Sequence, residues 1–276
     1  MSPFAPRKKR YFRGAKGDYR VSMMLLQRLL DRISLRPSRH VIEHDLQTTW
    51  LDVDGCRCEV FQLDVEAAQS DGPIHDVNIV KFVGSGGRAE NLTPLTLGGL
   101  KNVRAKIWVA NPPGYGRSQG PATLTSQIQT ARRLYQYVKN ETGSAPILAG
   151  DSLGGAIAIC LASEVATPGL IVRDPPPIRQ LILKRYRFFK RIAAYFAGLV
   201  PDEVDAMAAA ARCNVPAIFV SSRLDRIVPV ECQDELMAAY GGPMRKVIAR
   251  DAFHCGPLTV EELAEYRSSL EWLLQF

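Results

Sequence analysis

Histidine is scarce in this chain. Four imidazoles, His40, His44, His75 and His254, serve 276 residues, so chemistry that needs a base near neutral pH has few places to draw on. Scattered this way they offer no metal-ligand cluster, and cysteine adds none. Cys56, Cys58, Cys160, Cys213, Cys232 and Cys255 show neither zinc-finger spacing nor the density of a disulfide framework. The thiols fit a reducing compartment, with Cys160 in an apolar helical run as a core residue and Cys56 and Cys58 as a surface pair on one strand face. No stretch approaches the roughly 18 apolar residues of a membrane span. The patch over 21–30 is broken by Gln27 and Arg28 and is too short for the apolar core of a signal peptide. The expectation is a cytoplasmic protein without cofactor or metal.

Acidic residues are missing from two stretches. None occurs between Asn91 and Asn140, and none between 178 and 196. What is present is ordinary: 46% hydrophobic and 23% charged residues, enough for a substantial core in one large domain or two small ones. The net charge of +7 is uneven. Residues 1–40 hold eleven Lys or Arg against two Asp, a surplus of nine, so the remainder carries −2. The basic character belongs to an arm, not to a folded face, and points to a solvated or membrane-surface-seeking segment rather than to nucleic acid.

The chain divides into a basic arm with a helix over 1–39 and a domain over 40–276. Residues 1–20 read as an unstructured arm and 21–34 as a helix with adjoining apolar and basic faces. Strands are expected near 41–44, 48–53 and 58–63, with Asp54-Gly55 as a hairpin turn and His75 in a later turn. From 78 onward short apolar strands (78–83, 105–109, 147–149, 170–172, 217–221, 245–248) alternate with helical stretches at 89–100, 124–139, 156–165, 233–240 and 261–274. That alternation predicts an α/β fold with a mostly parallel, doubly wound sheet behind antiparallel N-terminal strands. Residues 178–213 interrupt it as a helical insertion with the position of a small lid. Arg179, Lys184, Arg185, Arg187, Lys190 and Arg191 lie there among recurring aromatic and aliphatic residues.

The chemistry is concentrated at Gly150-Asp151-Ser152-Leu153-Gly154. It follows the apolar run 147–149 and precedes a helical one, which is the strand, tight turn, helix context of a G-x-S-x-G nucleophile elbow. A serine hydroxyl needs a positioned base. Of the four histidines only His254 follows a late strand, where a loop can overhang the carboxyl edge of the sheet. The imidazole needs a carboxylate in turn. Asp225 and Asp174 each follow a strand; Asp225 gives the chain order Ser, Asp, His and is preferred, with Asp174 as the alternative. A developing oxyanion needs backbone donors. Leu153 N–H at the start of the elbow helix is one. Ser85 N–H in the glycine loop 84–87 is the other, with Gly86 in reserve.

Five ordered motifs carry a resemblance: Phe-Val-Gly-Ser-Gly-Gly at 82–87, Asn-Pro-Pro-Gly-Tyr-Gly-Arg-Ser at 111–118, Gly-Asp-Ser-Leu-Gly-Gly at 150–155, Leu-Asp-Arg-Ile-Val-Pro at 224–229 and Phe-His-Cys-Gly at 253–256. From about residue 40 to the end the sequence resembles the α/β-hydrolase superfamily, and the second motif looks like the Gly-Tyr-Gly-x-Ser loop of small esterases of the monoacylglycerol-lipase-like and depalmitoylase-like kind. The resemblance implies an eight-stranded sheet with Ser152 as nucleophile, His254 as base and Asp225 as acid. It departs at the oxyanion loop, where such proteins commonly carry His-Gly and this chain has Val83-Gly84, which puts the order of that loop in question. The family hosts many activities, so the substrate is not fixed. The expectation is a carboxylic ester or thioester with an apolar, lipid-like acyl chain, together with peripheral membrane contact through the basic arm.

Three other readings compete. Gly84 to Ala89 matches the G-x-G-x-x-A form of an NAD(P)-binding fingerprint, but the acid expected about twenty residues on to bind the ribose is missing and the next strand ends in Asn111. A catalytically inactive binding protein is the second, opposed by the presence of all three triad residue types in order. The third is an acyltransferase on the same residues, which would need an acceptor other than water.

Overall fold

The hairpin at Asp54-Gly55 starts the architecture. Both residues take left-handed backbone (φ 50° and 79°), the geometry a two-residue hairpin turn requires, and Val53 pairs with Cys56 across it. A computed structural model describes residues 15–66 and 74–276. Among these, one sheet of eight strands runs through the molecule: β1 (Gln47–Val53), β2 (Cys56–Glu66), β3 (His75–Phe82), β4 (Val103–Ala110), β5 (Ile147–Asp151), β6 (Leu170–Arg173), β7 (Ala217–Ser222) and β8 (Met244–Ala249). Their order is β1-β2-β4-β3-β5-β6-β7-β8. β2 pairs antiparallel with β1 and β4, and every later pairing is parallel.

Helices cover both faces, as parallel strands demand. They are α1 (Ala15–Ser34), α2 (Leu124–Thr142), α3 (Leu153–Ala162), α4 (Ile178–Arg185), α5 (Lys190–Gly198), α6 (Ala206–Ala210), α7 (Val230–Ala239) and α8 (Val260–Leu273). Side chains alternate along β5. Leu148 joins the core shared with α2 and α3, where Leu134, Ile159, Val172 and Phe219 pack. Ile147 and Ala149 join the opposite core with Ile171, Val220, Tyr266 and Leu270 of α8. Every residue of α3 is buried, because it lies between the sheet and α2, α6 and neighbouring turns. Capping boxes fix the starts of α2 (Thr123 with Ser126) and α8 (Thr259 with Glu262).

Several expectations change. The helix expected from 21 begins at Ala15, while residues 1–14 of the arm lie outside the described residues. Leu30 and Leu35 are buried in the core, and Asp31 accepts a hydrogen bond from Leu124 N at 3.0 Å, so this helix is fastened to α2. Residues 41–44 form no strand, and His75 begins β3 instead of lying in a turn. Cys58 is fully buried, not at the surface. The helix expected over 89–100 does not form. Pro94 forces Thr93 into extended backbone (φ −134°, ψ 160°), and two short 3₁₀ turns, Ala89–Asn91 and Pro94–Leu97, take its place. The 178–213 segment is helical in pieces, as α4, α5 and α6 with 3₁₀ turns between them.

Candidate active site

The turn between β5 and α3 is built on two close backbone approaches. A Cβ on Gly150 would overlap the Gly154 carbonyl, and a Cβ on Gly154 would overlap the Phe82 carbonyl. Glycine at both positions lets the chain reverse against β3, and Ser152 sits at the apex with φ 52°, ψ −126°. A non-glycine residue in such backbone carries about 1–3 kcal/mol of strain, which the surrounding structure must hold. Here Ser152 N donates to Arg173 O at 2.8 Å, tying the turn to β6. Gly154→Ala is expected to destabilise the fold by about 3 kcal/mol or more, since backbone rather than a pliable side chain blocks the added methyl. Thermal or urea unfolding checks this; an unchanged midpoint would contradict it.

The structure brings Ser152, His254 and Asp225 into one chain of hydrogen bonds. His254 Nε2 lies 2.8 Å from Ser152 Oγ and His254 Nδ1 lies 2.6 Å from Asp225 Oδ2. The Asp225 carboxylate is buried, and Ile227 N, Val228 N and Gln233 Nε2 donate to it at 2.8, 2.9 and 3.1 Å. Gln233 is itself held by Ser221 Oγ at 2.7 Å. Burial pulls the imidazole pKa of His254 down, but the hydrogen bond and negative charge of Asp225 outweigh it, so the pKa ends above the ordinary histidine value.

Asp174 occupies a different place. Its carboxylate accepts from Ser222 N, Ser222 Oγ and Cys255 N, each at 2.7 Å. It therefore pins the loop that carries His254 without bonding the ring. Arg173 reinforces that loop by donating to Gly256 O. Asp174, His254 and Cys255 bring possible ligand atoms within 4.8 Å of one another, yet the oxygens of Asp174 and both ring nitrogens of His254 already have protein partners. Burial drives the Cys255 thiol pKa far up, which leaves it a neutral, weakly reactive group beside the histidine.

Ser85 and Leu153 line the same pocket as Ser152. Among the described residues neither backbone N–H donates to a protein acceptor. The loop bearing Ser85 is well anchored even without the His-Gly pair. Ser85 O accepts from Tyr115 Oη at 2.7 Å and from Arg36 N at 2.9 Å, and Gly87 N closes a turn onto Gly84 O at 2.9 Å. Beneath it, Asn111 at the end of β4 donates to Glu59 and Glu90 and accepts from Ala89 N at 3.0 Å. Burial alone would raise the pKa of Glu90, but bonds from Arg88 and Asn111 more than offset it and hold the carboxyl below its ordinary range. The 111–118 motif is thus the scaffold of the loop that carries Ser85. The sequence shows Tyr115 and Asn111 only as members of the 111–118 motif and gives no sign of Arg36; their anchoring roles emerge from the structure. The same geometry disposes of the dinucleotide fingerprint. Residues 84–89 lead into a three-residue 3₁₀ turn, which presents no helix N-terminus to a pyrophosphate.

Around Ser152 the pocket has a volume of 240 Å³. α4 supplies Ile178, Leu181, Ile182 and Arg185 to its wall, with Tyr186 just past its end; Leu30 and Ile33 of α1 and Ile227 and Val228 add further apolar lining.

Solved structures share this architecture. The Pyrococcus furiosus esterase Pf2001 superposes with a TM-score of 0.62 at 15% identity, covering 87% of this chain and 96% of that one. Est1E of Butyrivibrio proteoclasticus, solved with bound ferulic acid, gives 0.61 at 14% identity over 83% and 100%. This is an α/β-hydrolase-fold protein. Among curated sequences, the uncharacterized protein Rv2307c of Mycobacterium tuberculosis is 25% identical over 180 residues, 59% of this chain and 56% of that protein. The chain thus matches just over half the length of that relative. No family model matches the sequence. Among the described residues of this α/β-hydrolase-fold protein, no helix is long and apolar enough to cross a membrane.

Proposed function

We infer that the protein is a serine hydrolase that cleaves carboxylic esters or thioesters bearing an apolar acyl group. The observation that carries this reading is the unbroken hydrogen-bond chain from Ser152 through His254 to buried Asp225, at an apolar pocket with two unengaged N–H groups. Esterases among the solved structures of the same fold support ester bonds as the substrate class.

Ser152 Oγ attacks the carbonyl carbon and His254 Nε2 takes the hydroxyl proton. Asp225 holds Nδ1–H, so the ring presents the correct nitrogen and its positive charge is stabilised. The oxyanion accepts from Leu153 N–H and Ser85 N–H, two donors already fixed before the charge develops. As the tetrahedral adduct collapses, His254 passes its proton to the departing alkoxide or thiolate, leaving an acyl-Ser152. Water, deprotonated by His254, then attacks the acyl carbon and regenerates the serine.

The apolar lining Ile178, Leu181 and Ile182 supports an acyl chain lying under α4. Each methylene buried there contributes about 0.8 kcal/mol, close to fourfold in kcat/KM. Turnover of p-nitrophenyl esters is therefore expected to rise from acetate through butyrate to hexanoate. A flat or falling series would remove the acyl-pocket assignment. A lipid-like substrate and peripheral contact of the arm, residues 1–39, with a membrane surface belong to the same proposal. Its support is the row of exposed Met24, Leu25, Leu29 and Ile33 on α1, interleaved in sequence with Arg28 and Arg32, with Ile33 also lining the pocket. Of the 178–213 segment, residues 178–186 form one wall of this acyl site.

A further inference from the structure

A second cavity lies between the sheet and α8, with a volume of 560 Å³ against 240 Å³ for the pocket at Ser152. Its origin is local. Where a full helix over 89–100 would have packed down on the strands, Pro94 leaves two short 3₁₀ turns, and the carboxyl ends of β3, β5 and β6 stay uncovered on this face. Lys81, Asp151 and Arg173 line the opening, and Ala149, Ile171, Val220, Leu258 and Leu263 form apolar walls. The size falls within the roughly 300–1,000 Å³ range of small-molecule sites.

The polar groups are not equivalent. Lys81 Nζ is committed, 2.9 Å from Asp151 Oδ2 and 3.0 Å from Thr96 Oγ1. Tyr266 Oη is committed too, donating to Thr96 O at 2.7 Å. Arg173 donates one terminal N–H to Gly256 O, but its Nε is buried with no partner among the described residues. An orphaned guanidinium N–H in a low-dielectric wall is costly and calls for an acceptor. With Lys81 neutralised by Asp151, the lining carries one net positive charge, supplied by Arg173.

We propose that this cavity is a binding site for a small organic monoanion, a carboxylate with an apolar body. The carboxylate pairs with the Arg173 guanidinium where it lines the cavity, a charge-assisted contact, with Lys81 close by, and the apolar part lies along Ile171, Val220, Leu258 and Leu263. The fit excludes a compact dianion, which would carry one charge too many and leave the apolar walls bare. The site is distinct from the pocket at Ser152: it opens on the α8 face, and none of its lining residues is shared with that pocket. It does border that machinery through Asp151, the residue before Ser152, and through Cys255, the residue after His254. The inference stands on the cavity alone and does not depend on the hydrolase reading.

Calorimetric titration of the full chain with hexanoate, hexanamide and inorganic phosphate tests it. Hexanoate is expected to bind at least tenfold more tightly than hexanamide, and phosphate more weakly than hexanoate. Two variants locate the site. Leu263→Trp, which fills the cavity from α8, should abolish hexanoate binding. Ile182→Trp, which fills the pocket at Ser152, should preserve it. If Leu263→Trp fails to fold, Arg173→Gln replaces it and should weaken hexanoate at least tenfold while leaving hexanamide unchanged. Equal binding of acid and amide, stronger binding of phosphate, no binding of hexanoate, or loss with Ile182→Trp but not with the cavity variants would each overturn the proposal.

Discussion

Ser152→Ala is expected to lower kcat for ester hydrolysis by about 10⁶-fold, with KM nearly unchanged. Removing the nucleophile of a serine triad has an effect of this order, and what survives comes from substrate binding and oxyanion donors. On the proposed mechanism those remnants are the apolar wall of α4 and the N–H groups of Leu153 and Ser85, and none of them involves the serine hydroxyl. The substitution leaves the fold intact, because Ser152 makes its structural bond through backbone N to Arg173 O. Steady-state kinetics on p-nitrophenyl butyrate, with circular dichroism to verify folding, reads the result. A loss of tenfold or less would mean that another group attacks the ester.

Asp225→Asn is expected to reduce kcat by about 10⁴-fold, the cost of presenting the wrong imidazole tautomer in related arrangements. It should also move the pH profile. His254 must be neutral to accept the Ser152 proton, so activity falls as pH drops through its pKa. In the native chain burial lowers that pKa, but Asp225 more than reverses the effect and sets it above the ordinary histidine value of about 6.5. The acid limb of kcat/KM therefore lies above pH 6.5. Without the Asp225 charge, burial acts with less opposition and the limb shifts to lower pH. Asp174→Asn provides the contrast. Its carboxylate bonds Ser222 and the Cys255 backbone, so the variant should lose stability and order in the histidine loop, with a far smaller drop in kcat than Asp225→Asn. An acid limb unmoved by Asp225→Asn, or an Asp174 effect exceeding that of Asp225, would contradict the assignment.

Much of this geometry is legible one residue at a time because its constraints are local. The strand, turn and helix around Ser152 follow from apolar runs bracketing two glycines. The Asp54-Gly55 hairpin follows from left-handed backbone at the turn. Strand alternation along β5 and its neighbours yields the parallel sheet, whose order brings together Ser152, Asp225 and His254 from distant parts of the chain. What the residues alone conceal depends on contacts across the chain. Apolar residues over 89–100 suggest a helix until Pro94 and its extended neighbour Thr93 are weighed more heavily than periodicity. The choice between Asp225 and Asp174, both just past strands, turns on which loop reaches the imidazole. The burial of Cys58 and the docking of Leu30 and Asp31 depend on packing partners elsewhere in the sequence. The missing His-Gly pair likewise looks like a defect until Tyr115 and Arg36 are seen to hold the Ser85 carbonyl.

Covalent capture tests the central claim most directly. Intact-mass measurement after incubation with a fluorophosphonate should show one adduct per native chain, peptide mapping should place it on Ser152, and Ser152→Ala should remain unmodified. An adduct that persists in Ser152→Ala, or a folded native chain that never reacts, would contradict the account.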